Sequence, residues 1–244
     1  MLMPLLPDFD CVALDLAGQG TSDYRVGDGA YDIWRDIPEI REVVDQLGWD
    51  TFSILGHSRG AMISTLFSGT FPERMEKICL LDAVTPFTTS EPDLPAQLAS
   101  SIEGLSILKI RKSTFFSSYE RASEARTSGR YPLTAEASRL LAERSVMKGD
   151  EGYFWRYDPH LLIPSQVRLS EAQAKAFVDR FPRPARVIAA TRGVLADESR
   201  PAWMDAHRNL DIKMHEGEHH LQLAGDNESM DKLVSEINDY FNND

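Results

Sequence analysis

The stretch FSILGHSRG, residues 52–60, decides the fold because it joins an apolar run to a helix-like segment, Ala61 to Gly69, through a tight turn. Its first residues are typical of a buried strand. Gly56 and Gly60 flank the turn in a G-x-S-x-G pattern. Glycines there allow a sharp strand-to-helix bend with strained backbone, the elbow at residues 56–60, which pushes the hydroxyl of Ser58 outward; the elbow helix is the segment that follows it. The pattern therefore predicts that Ser58 is a nucleophile and that no side chain fits at either glycine.

The position of the turn also predicts what the two neighbours of Ser58, His57 and Arg59, do. The backbone N–H of Arg59, at the start of the helix, would point at an oxygen attacked by Ser58 and stabilise its developing charge. The side chain of His57 projects elsewhere from the turn. We therefore expect His57 to line the pocket as a substrate-binding residue or to lie behind the reacting groups.

A serine hydroxyl is a weak nucleophile at neutral pH, so Ser58 needs a histidine base. Two adjacent histidines, His219 and His220, follow the last strand-like segment, where a doubly wound sheet presents residues at its carboxyl edge. Both can serve as the base. The spacing of His219 from Gly217 favours His219.

The carboxylate that orients this histidine has two candidates. Asp82 ends the strand after the elbow helix, and Asp197 comes late in the loop after the strand at residues 186–191. The alternative for Asp82 is a side chain that binds loop amides, and the alternative for Asp197 is a helix N-cap. We place Asp82 ahead of Asp197.

The order of elements predicts an α/β fold with a mainly parallel, doubly wound sheet. Residues 9–15 are predicted to form a buried strand because they hold a continuous apolar run ending in Asp15. The predicted core comprises residues 1–85 and 185–244. Residues 86–184, which are polar and mostly helical in pattern, are predicted to form an inserted cap.

Composition excludes several classes of protein. With a formal charge of −12 in 244 residues, the chain is not expected to bind nucleic acid or an anionic membrane. Cys11 and Cys79 are predicted to be reduced thiols in a cytoplasmic protein, because neither belongs to a disulfide framework. We predict no targeting segment, no cofactor and no metal, since the paired histidines lack a third ligand.

These residues resemble the α/β-hydrolase superfamily, and within it the serine hydrolase-like proteins. The similarity covers the elbow and the stretch from Val12 to Ser22, which is similar to the family motif D-x-x-G-H-G-x-S with Gln19 in place of its histidine. The resemblance implies an α/β-hydrolase fold, Ser58 as nucleophile, His219 as base and a lid over the pocket. We interpret Gln19 as a structural substitution.

The resemblance also implies two or three strands and a His-Gly oxyanion loop ahead of residue 9, and this sequence does not contain them. Their absence would leave strand edges unpaired, which favours self-association into a homo-oligomer. A missing oxyanion donor can cost ~100-fold to 1,000-fold in rate.

Two functions follow from the sequence. The first is a serine hydrolase with an esterase-like reaction, acting on a small or medium ester-like substrate through a Ser58–His219–Asp82 triad. The alternative is a catalytically weak or inactive member of the family that acts as a binding or interaction module.

Overall fold

The computed structural model describes residues 2, 6–27, 31–110, 114–128, 131–196, 200–223 and 227–243. Its regular elements in chain order are α1 (Asp36–Gln46), β1 (Phe52–His57), α2 (Arg59–Thr70), β2 (Met75–Leu81), α3 (Leu94–Ile110), α4 (Tyr119–Glu124), α5 (Ala135–Ser145), β3 (Val146–Gly149), β4 (Gly152–Trp155), α6 (Glu171–Asp179), β5 (Ala185–Arg192), α7 (Ala202–Asp205), β6 (Leu210–Glu218) and α8 (Asn227–Asn242).

The main sheet has four strands in the described residues, in the order β1-β2-β5-β6, and every neighbouring pair is parallel. The predicted α/β fold with a parallel sheet is therefore confirmed. Because all strands run in one direction, their carboxyl ends lie along one edge. The residues that follow β1, β2, β5 and β6 meet there.

Strand β2 and helix α2 form the centre of the core. Ile78, Leu80 and Leu81 in β2 are fully buried, as are Leu66 and Phe67 in α2 to within 1%. A strand covered on both faces carries a continuous apolar run, which is why the second half of β2, Ile78 to Leu81, could be recognised as a buried strand; the structure begins this strand three residues earlier, at Met75.

The chain forms two compact units. Unit 1 comprises Met1–Asp8, Ile33–Leu94 and Arg168–Asp244, and it contains the parallel sheet. Unit 2 comprises Phe9–Asp32 and Pro95–Val167. The assignment of residues 86–184 to a cap stays a prediction.

The buried strand predicted at residues 9–15 is wrong. Residues 10–16 have no regular secondary structure, and Val12 and Leu14 are 49% and 41% exposed. The segment is held instead by a polar loop, in which the Asp15 carboxylate accepts hydrogen bonds from the N–H and hydroxyl of Thr21. A short apolar run in a sequence does not by itself distinguish a strand from an extended loop. Here no described strand pairs with residues 9–15, so the segment is a loop.

Unit 2 also contains a hairpin that the sequence analysis did not predict. Strands β3 and β4 pair antiparallel around the turn between Gly149 and Gly152. Gly152 has a φ of +132°, a conformation that residues with a Cβ rarely adopt. Helix α3 belongs to the same unit from Pro95 onward.

No helix among the described residues is long and apolar enough to cross a membrane.

The packing of α2 against α6 generates a first prediction. A Cβ on Gly69 would lie 2.6 Å from the backbone oxygen of Phe177 in α6, so one of the helices must shift. We expect Gly69→Ala to lower the free energy of unfolding by about 1–3 kcal/mol, measured by urea denaturation. Gly60→Ala in the same helix is the control, since a Cβ there meets no described neighbour within 4 Å. Equal stability of the two variants would contradict this packing.

Candidate active site

Ser58 lies in the bend between β1 and α2, in a backbone conformation that is costly for a residue with a side chain. Its φ is +52° and its ψ is −119°. Its N–H donates to the Leu81 oxygen at 3.0 Å, so β2 fixes the bend from the neighbouring strand. Strain of this kind persists only where the surrounding structure enforces it, and it is concentrated at functional sites.

The two glycines of the elbow differ in how much space a side chain would have at their positions. A Cβ on Gly56 would lie 2.5 Å from the Ser64 hydroxyl and 2.6 Å from the Gly60 backbone, so the prediction that no side chain fits there is confirmed. The same prediction is wrong for Gly60, where a Cβ meets open space. Gly60 already lies within α2, and a Cβ there would meet no described neighbouring atom within 4 Å.

His219 is brought to Ser58 by the end of β6. Its Nε2 lies 2.8 Å from the Ser58 hydroxyl, and its Nδ1 lies 2.6 Å from Oδ2 of Asp82. Because the carboxylate can only accept, Nδ1 carries the proton and Nε2 accepts from Ser58. The His220 ring does not take this position; its centroid lies 4.9 Å from the His219 ring and 5.2 Å from the His57 ring.

Asp82 follows β2 and is completely buried. Besides His219, its carboxylate accepts from the backbone N–H groups of Ala190 at 3.0 Å, Val194 at 2.8 Å and Leu195 at 3.2 Å. Both interpretations from the sequence therefore apply at once, because this side chain binds loop amides and contacts the histidine. The competing candidate, Asp197, lies outside the described residues.

His57 contacts the main chain of His219 and the side chain of Gln222. Its Nε2 lies 2.8 Å from the backbone oxygen of His219, and its Nδ1 lies 3.0 Å from the side-chain nitrogen of Gln222. Burial lowers the pKa of His57 from the usual 6.5 to about 4, and its hydrogen bond to His219 only partly opposes this effect. His57 is therefore a neutral imidazole near pH 7. Its predicted role in substrate binding stays a prediction.

Arg59 links the elbow to the first turn of α1. Its guanidinium Nη2 lies 2.7 Å from Oδ2 of Asp36, a carboxylate that is 1% exposed. A buried carboxylate needs such a partner, because an uncompensated charge in the interior costs several kcal/mol. The backbone N–H of Arg59 stands at the N-terminus of α2, where the first amides of a helix have no partner within it.

A family model described as the alpha/beta hydrolase fold matches residues 2–163. The chain belongs to the α/β-hydrolase fold family. Within this family, it is 27% identical over 236 residues to a serine hydrolase-like protein of Danio rerio, a match that covers 91% of this chain and 72% of that protein. A serine hydrolase-like protein of Homo sapiens is 45% identical over 93 residues, which is 38% of this chain and 45% of that protein.

A solved structure is similar to this chain over nearly the whole of its length. The structure of a hypothetical protein from Pseudomonas aeruginosa PAO1 has a TM-score of 0.87 and 34% sequence identity. The match covers 94% of this chain and 81% of that one. The family and fold suggested by the elbow are therefore confirmed.

Sequence reasoning missed two residues that shape this hydrolase-fold site. A Cβ on Gly193 would collide with the Asp82 carboxylate, so the loop after β5 can reach that carboxylate only with glycine there. The glycine in a loop after a strand was the available signal. Gln222 had no signal in the sequence, because its contact with His57 joins positions that are far apart in the chain.

The neutral His57 predicts how stability depends on pH. Between pH 6.5 and about 4, the unfolded chain binds a proton at this residue and the folded protein does not. The free energy of unfolding should therefore fall as the pH decreases through this window, by up to about 3 kcal/mol from this group.

Urea denaturation of the wild type and of His57→Gln across pH 4–7 isolates this contribution as the difference between the two curves. We expect the variant to have the shallower dependence, because the glutamine does not titrate. Parallel curves would show that His57 is not held neutral by the fold.

Proposed function

We propose that this chain is a serine hydrolase that cleaves a small or medium ester-like substrate through Ser58, His219 and Asp82. One observation carries the proposal: a continuous line of hydrogen bonds from the Ser58 hydroxyl through both nitrogens of His219 to the Asp82 carboxylate. This is the arrangement that nucleophilic catalysis by serine requires. The names of the serine hydrolase-like relatives support the same class of reaction.

In the first half of the proposed reaction, Ser58 Oγ attacks the carbonyl carbon while Nε2 of His219 accepts its proton. The carbonyl oxygen becomes an oxyanion, and the backbone N–H of Arg59 is the proposed donor to it. Asp82 stabilises the positive charge that forms on the His219 imidazole. The bond to the leaving alcohol then breaks, His219 gives its proton to that alcohol, and an acyl group remains on Ser58.

Water completes the cycle. His219 accepts a proton from a water molecule that attacks the acyl carbon, and it returns this proton to Ser58 as the carboxylic acid leaves. No cofactor takes part in this scheme. The preference for an ester and for a small or medium acyl group comes from the sequence alone, and hydrolysis of p-nitrophenyl esters of increasing chain length would measure it.

Labelling with a fluorophosphonate tests the nucleophile and the base together, because this reagent phosphonylates an activated serine without needing the natural substrate. We expect the wild type to be labelled, Ser58→Ala to be unlabelled and His219→Gln to react at least ~1,000-fold more slowly. The matched control is His220→Gln, which should retain the wild-type rate. Absence of labelling in folded wild-type protein would favour the binding-module alternative.

The acid is tested by a second matched pair. Asp82→Asn keeps the shape of the side chain but cannot stabilise an imidazolium, so we expect labelling to slow by roughly 1,000-fold or more. Asp197→Asn should leave the rate within about 2-fold of the wild type, which is within the usual effect of a substitution away from the reacting groups. The reverse pattern would move the acid to Asp197.

A further inference from the structure

His57 makes a hydrogen bond whose direction is fixed by its partner. The backbone oxygen of His219 can only accept, so the His57 Nε2 at 2.8 Å must carry the proton. In a neutral imidazole the other nitrogen then has a free lone pair. His57 Nδ1 is therefore an acceptor.

Gln222 supplies the donor for the lone pair on His57 Nδ1. Its side-chain nitrogen lies 3.0 Å from His57 Nδ1, so the amide N–H donates to it. The opposite orientation of this amide would place two acceptors against each other. Gln222 and the His219 carbonyl thus select one tautomer of His57 and one ring orientation.

We propose that His57, oriented by Gln222, is a positioning residue that holds the main chain of His219 so that its imidazole stays between Ser58 and Asp82. This inference rests on the proposed function, because the residue being positioned is the proposed base. The Ser58 and Asp82 contacts hold the imidazole, whereas the His57 contact holds the backbone from which it projects.

The base needs such a contact because it stands just beyond a regular element. Strand β6 ends at Glu218, so His219 is the first residue without a partner strand to fix its backbone. Gly217, two residues earlier, has a φ of +148°, and the chain bends at His219. A displacement of about 1 Å at a catalytic group can cost ~100-fold in rate.

The neutral state of His57 suits this role. Its ring centroid lies 4.8 Å from that of His219, so a charge on His57 would repel the imidazolium that forms on His219 during the reaction. Burial keeps the pKa of His57 near 4, well below neutral pH. His57 therefore holds the base without competing with it for the proton.

Two variants of His57 separate positioning from simple packing. In His57→Gln, the side-chain amide reaches the position of the imidazole Nε2 and can donate to the His219 carbonyl. In His57→Asn, the amide stops near the position of Nδ1 and cannot. The two variants have the same functional group and differ in reach, and His57→Leu removes the donor altogether.

The rate of fluorophosphonate labelling of Ser58 is the first measurement. We expect His57→Leu and His57→Asn to react at least ~10-fold more slowly than the wild type. His57→Gln should recover most of the rate, although all three variants lose the imidazole. Equal rates for the Gln and Asn variants would overturn the proposal, and thermal unfolding would identify any variant that fails to fold.

Nuclear magnetic resonance of protein with ¹⁵N-labelled histidine gives a second measurement that does not depend on activity. We expect His57 to be the neutral Nε2–H tautomer from pH 5.5 to 9 in the wild type. Gln222→Leu should perturb the resonances of both His57 and His219. A His57 that titrates near pH 6.5, or has its proton on Nδ1, would overturn the proposal.

The two measurements distinguish the two hypotheses. If the wild type is not labelled but His57 has the expected tautomer and His219 shifts in Gln222→Leu, the proposed function fails and the positioning contact remains. If the wild type is labelled and His57→Leu reacts at the same rate, the serine hydrolase remains and the positioning role is rejected.

Discussion

The site depends on a buried carboxylate that must be neutralised or fully hydrogen-bonded. Asp82 has no exposed surface, and its oxygens accept from one backbone amide within β5, from two in the loop after it and from His219. A buried charge without such partners would destabilise the fold by several kcal/mol. The same contacts that satisfy this charge join the ends of β2, β5 and β6 into one arrangement.

The parallel sheet brings the buried carboxylate close to the other two residues of the candidate active site. Since the strands run in one direction, the residues just beyond their carboxyl ends approach one another although they are far apart in the chain. Ser58, Asp82 and His219 follow β1, β2 and β6, respectively. Two of the three stand in strained backbone, with φ values of +52° at Ser58 and +48° at Asp82, so the edge is held under conformational strain.

Much of this arrangement could be predicted from the sequence, because its signals are local. The elbow, the buried apolar run of β2 and the two histidines after β6 lie in short segments whose patterns have one strong interpretation. The contacts of His57 with Gln222 and of Gly193 with Asp82 could not be predicted in this way. They join separate segments, and their geometry depends on how β5 and β6 pack.

The predicted strand at residues 9–15 failed for a related reason. An apolar run becomes a strand only when another strand supplies hydrogen bonds, and pairing is a property of the whole sheet. In the described structure this segment is a loop held by Asp15 and Thr21. The D-x-x-G-x-G-x-S resemblance was informative about family and uninformative about local conformation.

The position of Asp82 has an evolutionary consequence for the loop after β5. Among the described residues, the carboxylate accepts main-chain hydrogen bonds from Ala190 within β5 and from Val194 and Leu195 in the loop after it, and any residue except proline can supply such a donor. Selection can therefore change a side chain at a donor position without losing its hydrogen bond, within the limits that packing sets at buried positions such as Leu195, whereas Gly193 must be retained because a Cβ there would collide with the carboxylate.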